Sequence, residues 1–384
     1  MRIAISTCVI QRGKSGVGQY VLALVRALLD RPGDHQLALF VLEQDLPLFD
    51  FAVGRAEIVT VPERWRSAIK NILWHQMVLP SLLRRLHIDV LHVPSYRRLL
   101  PGGPCALVAT IHDLAPFHVR AKYDVARMFY GRVVVKRLAR RQDEVIAIST
   151  NTAQDVARFF GIPVGRQTII HNGIDHSRFH PGLPAEAKAE AVSRWRLDAP
   201  YFLFVSRLEH PGKNHVRLIE AFNRFRTDTK SNRLLALGGS DWHGAEVIRA
   251  AAAQSPFGKD IRFLGFVEDA SLPNLYRAAE TMVYPSLYEG FGLPPVEAMA
   301  CGCPVLSSTR GALAEVVGNA ADTAEPENIA SLAAGLGRMA SDESHRARLS
   351  QAGLLNARRF DWASNAEQVL GVYRAALARK LPVA

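Results

Sequence analysis

Glu289 and Glu297 bracket the stretch EGFGLPPVE, in which Gly290, Gly292, Pro294 and Pro295 separate two carboxylates. Glycines permit a tight bend and close approach of backbone to a ligand, and proline suits the first helical turn, where its missing N–H would have no helical partner. The runs TMVYP (281–285) before it and CPVLSS (303–308) after it are short, apolar and β-compatible. The unit therefore reads as strand, glycine-rich turn, short helix, strand. Such a turn lies at the carboxyl end of a strand, where open α/β sheets bind ligands, and a helix N-terminus there attracts an anion. Spacing alone leaves open which anion this is and what the glutamates hold.

Further constellations stand at other strand-to-helix junctions. RIAIS leads through GKSGVGQY, so Gly16 and Gly18 sit where a helix begins, either cradling an anion or simply turning the chain. YFLFVSRLEHPGKNHV puts Arg207 at a strand end and Lys213 just before a helix. Two cations on one loop suit a diphosphate, arginine as a fork and lysine as a point charge. In ATIHDLAP, His112 projects past an apolar strand as a hydrogen-bonding group or proton carrier, while Asp113 can instead cap the next segment. Phe266 and Val267 follow the strand IRFLG, where main-chain groups beside an aromatic suit a flat base, although the residue types alone say buried loop.

The elements that must position these groups come from the whole chain. At 384 residues it exceeds the size of one core, and 48% apolar against 22% charged residues describe two globular domains rather than disorder. Strand-like and helix-like segments alternate through the first half, pause in the polar, proline-bearing stretch 172–200, and alternate again, which predicts two parallel sheets wrapped by helices. That pause marks the expected interdomain connection. Domains are expected at 1–173 and 174–362, with 363–384 returning to the first, and the ligand in a crevice faced by the carboxyl ends of both sheets.

The net charge of +11 calls for an anionic partner or serves solubility. Arg127, Arg132, Lys136, Arg137, Arg140 and Arg141 alternate with apolar residues in YDVARMFYGRVVVKRLARRQ, and WRSAIKNILWHQMVLPSLLRRLH (65–87) is similar. Segments of this kind suit an anionic membrane surface, or a helix half in the core. No zinc-finger spacing, RNA-binding aromatic motif or basic tail points to nucleic acid. No apolar run reaches the roughly 18 residues of a membrane span, and MRIAIS turns polar too early for a secretory signal, so a cytoplasmic place is expected. Cys8, Cys105, Cys301 and Cys303 are too scattered for a disulfide framework and lack metal-ligand spacing.

Taken together, SGVG near the start, TIHDL (110–114), IAIST (146–150), IIHNGID (169–175), SRLEHPGKN (206–214), FLGFVED (263–269) and EGFGLPPVEAMACGCPV (289–305) resemble the retaining GT-B glycosyltransferases of family 4. The last stretch is similar to that family's Glu-x7-Glu motif, and FDWASNAEQVLGVYRAAL (360–377) resembles its returning terminal helix. The resemblance implies an α/β GT-B fold of two doubly wound Rossmann-like domains and a nucleoside-diphosphate sugar as donor. It also implies that Glu297 accepts ribose hydroxyls, that Glu289 faces the sugar and that His112 bonds a sugar hydroxyl. The amides of Phe291, Gly292 and Leu293, with Gly16, would approach the diphosphate or sugar; Arg207 and Lys213 would neutralise the leaving diphosphate; Phe266 and Val267 would contact the base. No Asp-x-Asp occurs in the chain, which fits a family that needs neither cofactor nor divalent metal. Ser206 stands where the family commonly has glycine, the interval from Arg207 to Lys213 is one residue longer than usual, and Ser15-Gly16 lacks the doubled glycine.

The expected function is thus a retaining hexosyltransferase of cell-surface polysaccharide synthesis, using GDP-mannose or else a UDP-hexose and a lipid-linked or oligosaccharide acceptor. It would lie peripherally on the inner face of the cytoplasmic membrane. The alternatives are a nucleotide-sugar epimerase of the UDP-GlcNAc type and a catalytically silent subunit of a membrane complex.

Overall fold

Runs such as IAIS, LALFVL and ALVATI carry no polar face, so each needs apolar cover on both sides of its sheet. The computed structural model, which describes residues 1–13, 15–118 and 130–380, supplies that cover with helices. Contacts divide the chain into two compact units, Met1–Gly173 with Trp362–Ala384, and Ile174–Asp361.

The first unit holds strands β1 (Arg2–Ser6), β2 (Gln36–Leu42), β3 (Glu57–Val61), β4 (Val90–Val93), β5 (Ala106–Ile111), β6 (Glu144–Ala147) and β7 (Thr168–Ile169). They form one parallel sheet in the order β3-β2-β1-β4-β5-β6-β7. Side chains alternate between its faces with period two. Ile3 and Ile5 therefore join Val90 and Val108 beneath the helices Gly16–Leu29 and Trp362–Lys380, while Ala4 joins Phe40, Leu91 and Trp74 on the other side. Tyr373 of the last helix also bonds His92 of β4, at 2.7 Å.

The second unit holds β8 (Tyr201–Val205), β9 (Leu234–Gly238), β10 (Ile261–Gly265), β11 (Thr281–Tyr284), β12 (Val305–Ser308) and β13 (Asp322–Ala324), again all parallel, in the order β10-β9-β8-β11-β12-β13. In both sheets the order runs one way from the first strand and then reverses. The reversal falls between β1 and β4 in one and between β8 and β11 in the other. Loops leaving the carboxyl ends at such a reversal diverge and leave room for a ligand.

Two expectations change. The polar stretch 172–200 is not simply a connection, because Pro184–Trp195 is a helix of the second unit that buries Ala187 and Ala191. Its apolar face is mostly alanine, so hydrophobic periodicity is faint there. The basic segment 65–87 is two helices, Ala68–Met77 and Leu79–Arg85, because Pro80 cannot continue the ladder of the first. Of the other basic segment, Arg127 lies outside the described residues; Arg132, Lys136 and Arg137 lie on the helical turns Tyr130–Val135 and Lys136–Ala139, followed by Arg140 and Arg141.

Candidate active site

Cation and carboxylate meet at the reversal of the second sheet. The loop after β8 delivers Lys213, the loop after β11 delivers Glu289, and Lys213 Nζ lies 2.6 Å from Glu289 Oε1. Main-chain and side-chain bonds clamp the two loops together: Leu287 N–H donates to Gly212 (3.0 Å), and the Asn214 side chain donates to Pro285 (3.0 Å) and Pro326 (2.6 Å). Tyr284, at the end of β11, is buried beside the pair, with Lys213 Nζ 5.9 Å from the centre of its ring. Burial opposes the Lys213 charge, but Glu289, then Tyr284, more than offset it, and the lysine pKa is raised above its ordinary value.

The same loop is braced from behind. His215 begins the helix His215–Thr229, its Nδ1 is buried with no hydrogen-bond partner among the described residues, and burial followed by the nearby Lys213 charge lowers its pKa to about 3. A neutral ring there avoids a second cation beside Lys213. One N–H of Arg207 donates to Glu209 at 3.4 Å, and the guanidinium carbon lies 4.8 Å from the Trp242 ring centre.

Glu289 is supported by a glycine that sequence reasoning missed. Gly311 (φ 61°) follows β12, and a Cβ there would lie 2.7 Å from the Glu289 carbonyl oxygen; Ala312 N–H donates to that same carbonyl at 3.0 Å. Nothing in TRGAL marks this role, since the contact joins loops after different strands. Gly292 (φ 106°) precedes the helix Leu293–Ala300, where a Cβ would meet Leu313 at 2.6 Å. Pro294 and Pro295 carry no N–H, so the helix's first turn offers an anion the amide of Leu293, next to that of Gly292. Phe291 is buried and packs edge-on against Phe360, at 5.4 Å.

Glu297 stands one turn into this helix. Its Oε2 accepts from the Tyr276 hydroxyl at 3.2 Å. Burial pushes its carboxyl up to about 7, against the pull of Arg178 and the Tyr276 bond. Tyr276 and Arg178 were not expected here; helical spacing places Tyr276 but cannot say that it reaches Glu297. Val267 is buried, whereas Phe266 is 72% exposed, which corrects the buried-loop expectation for that ring. The chain turns outward at Gly265 (φ 69°), and the aromatic side chain follows it.

Gly16 and His112 belong to the first unit. Gly18 is a packing glycine, since a Cβ would lie 2.5 Å from the Ile10 carbonyl oxygen, while the equivalent space at Gly16 is open. His112 follows β5, with its ring 4.6 Å from that of Tyr20. The Pro94 main chain acts on the ring against the effect of burial, and Nε2 is buried with no partner among the described residues. Burial lowers this histidine to about 4, so at neutral pH Nε2 holds a lone pair suited to accept from a hydroxyl. Asp113 accepts from Ala115 N–H at 3.0 Å, the capping role weighed for it.

Known proteins resemble this chain over its length. Residues 14–178 match the model described as Glycosyltransferase Family 4, and residues 186–355 match Glycosyl transferases group 1. The chain is 28% identical to O-antigen chain mannosyltransferase B of Escherichia coli, over 97% of this chain and all of that one. It is 32% identical to D-inositol 3-phosphate glycosyltransferase of Xylanimonas cellulosilytica, over 95% and 93%. Among solved structures, sucrose-phosphate synthase of Thermosynechococcus elongatus matches with a TM-score of 0.79 at 21% identity, covering 99% of this chain and 100% of that one.

Proposed function

The chain belongs to the family 4, group 1 glycosyltransferases, and we propose that it is a retaining enzyme that moves a hexose, with mannose favoured, from a nucleoside-diphosphate sugar to a lipid-linked or oligosaccharide acceptor of cell-surface polysaccharide. The observation that carries this reading is the 2.6 Å contact of Lys213 with Glu289 at the reversal of the second sheet. A diphosphate bound beside the Leu293 helix would lie against Lys213 and Arg207, with Glu289 on the sugar side and Glu297 at the ribose. Phe266 and Val267 would contact the base; on the first unit, the role proposed for His112 Nε2 is to accept from a sugar hydroxyl.

As the bond from the anomeric carbon to the diphosphate oxygen breaks, the cations take up the negative charge and a carboxylate faces the positive charge on the sugar. Preorganised groups of this kind act without reorganising during reaction. For retention we favour front-side attack: the acceptor hydroxyl bonds the anomeric carbon on the face the diphosphate leaves, and the departing phosphate takes its proton. No step calls for a divalent metal. Mannose is favoured because the chain aligns throughout with an O-antigen mannosyltransferase. Calorimetric titration with GDP, UDP, GDP-mannose and UDP-glucose, without added metal, tests the donor. Preference for the guanosine ligands, weakened by Glu297→Ala, is expected; preference for uridine would replace mannose by a UDP-hexose, and no binding would overturn the reading.

Peripheral membrane contact is part of the same proposal, on the inner face of the cytoplasmic membrane. No described helix is long and apolar enough to cross a bilayer. On Ala68–Met77, however, Ile69, Leu73 and Met77 share one face and are 74%, 44% and 72% exposed. Residues 64–87 carry Arg64, Arg66, Lys70, Arg84 and Arg85 and no acidic side chain. An apolar stripe among cations suits an anionic lipid surface. The protein is expected to sediment with phosphatidylglycerol vesicles and not with phosphatidylcholine alone, and replacing Ile69, Leu73 and Met77 by serine should release it. Equal sedimentation of parent and variant would rule this face out.

A further inference from the structure

We propose that Trp242 is a positioning residue that holds the Arg207 guanidinium in place for the donor's diphosphate; this rests on the donor reading above. Beyond the last residues of β8 and β9 the two chain segments remain zipped together. Ser206 N–H donates to Gly238 (2.8 Å), Leu208 N–H to Ser240 (3.0 Å), Trp242 N–H to Leu208 (3.1 Å) and His210 N–H to His243 (2.9 Å). Leu208 and Asp241 are thus parallel bridge partners. Alternation about that pair puts Arg207, Glu209, Ser240 and Trp242 on the opposite face, so arginine and indole are neighbours by register.

Two glycines make this zipper possible. A Cβ at Gly239 would lie 1.9 Å from the Ser206 carbonyl oxygen, and one at Gly244 (φ 77°) would lie 2.9 Å from the His210 Cβ. On the far side Asp241 is tied to Arg249 at 2.7 Å. The segment 240–244 is thereby fixed alongside the loop that carries both cations.

Arg207 itself has little else to hold it. Its side chain is 50% exposed, with a 3.4 Å contact to Glu209 and the Trp242 ring 4.8 Å from its guanidinium carbon. Trp242 is 55% exposed, which core packing does not explain. A guanidinium stacked on an aromatic face keeps its plane while its in-plane N–H groups stay available to two phosphate oxygens. The indole therefore removes rotamer freedom that phosphate binding would otherwise have to remove, and it does so without occupying the donors.

The test is titration of GDP and UDP into the parent protein, Trp242→Ala, Trp242→Phe, Arg207→Ala and the double variant Arg207→Ala/Trp242→Ala, with a melting curve for each. Trp242→Ala should weaken the preferred nucleotide by about 3- to 30-fold, Trp242→Phe should restore most of that, and melting should be unchanged for both. In the Arg207→Ala background the tryptophan change should have no further effect. Normal binding by Trp242→Ala beside impaired Arg207→Ala would overturn the role given to Trp242, as would an equal tryptophan effect without Arg207. Normal binding by Arg207→Ala, or failure of the parent to bind either nucleotide, would instead overturn the donor reading on which it rests.

Discussion

Lys213→Ala is expected to lower turnover by about a hundred- to a thousandfold, the loss that follows removal of one preorganised charge-stabilising donor. Lys213 is the cation that the clamped loops hold most firmly. Asn214 beside it is fixed to Pro285 and Pro326, and the ammonium sits between Glu289 and Tyr284. The substitution also leaves Glu289, 14% exposed, without its counter-charge. A partly buried group that loses its partner costs about 1 to 3 kcal/mol, so melting should fall by several degrees. Kinetic loss should therefore exceed the stability loss. Glu289→Gln keeps an acceptor for Lys213 but removes the negative charge facing the sugar, and it should share the fall in turnover with a smaller fall in melting temperature. Single-turnover rates at saturating donor, with melting curves, check both. Turnover of Lys213→Ala within threefold of the parent, with reduced melting temperature, would assign the lysine to holding Glu289 and not to the leaving diphosphate.

The parallel sheets were legible because their strands are continuous apolar runs separated by helix-length segments, a pattern set by burial on both faces. The glycine-rich turn before Glu297 was legible for a related reason, since Gly292 and the prolines after it act locally. Groups that depend on register between distant segments were not. Trp242 reaches Arg207 only because Leu208 pairs with Asp241, and Gly311 matters only because its loop lies against Glu289. Neither relation leaves a mark at the residue itself. The helix Pro184–Trp195 escaped notice because alanine buries little surface, and Phe266 was expected inside because a strand-end aromatic usually is. Composition describes what a side chain prefers; the turn at Gly265 decides where this one goes.

Affinity for the nucleotide sugar is expected to rise with pH up to about 7 and then level off, and Glu297→Gln should both weaken binding and flatten that profile. The cause is the burial that pushes the Glu297 carboxyl up to about 7, with Asp269 adding to it and Arg178 and Tyr276 opposing it. Ribose hydroxyls that donate to this group select the ionised carboxylate, because the protonated acid has fewer acceptor sites. Below pH 7 binding must first remove a proton, so each pH unit should cost about tenfold in affinity. GDP and UDP have a terminal phosphate that titrates nearby; the nucleotide sugar, esterified at both ends of its diphosphate, does not, and is the ligand to use. Stability should move the other way. The folded-state pKa lies above the unfolded value, so the protonated acid favours the fold: this contribution is complete below about pH 4.3 and is lost as pH rises through 7. Glu297 thus loses stability over the same interval in which it gains affinity. Calorimetry at pH 5.5 to 8 in buffers of different ionisation enthalpy reads the slope and the proton release together. A level profile in the parent, or the same slope in Glu297→Gln, would remove this carboxylate from the binding equilibrium.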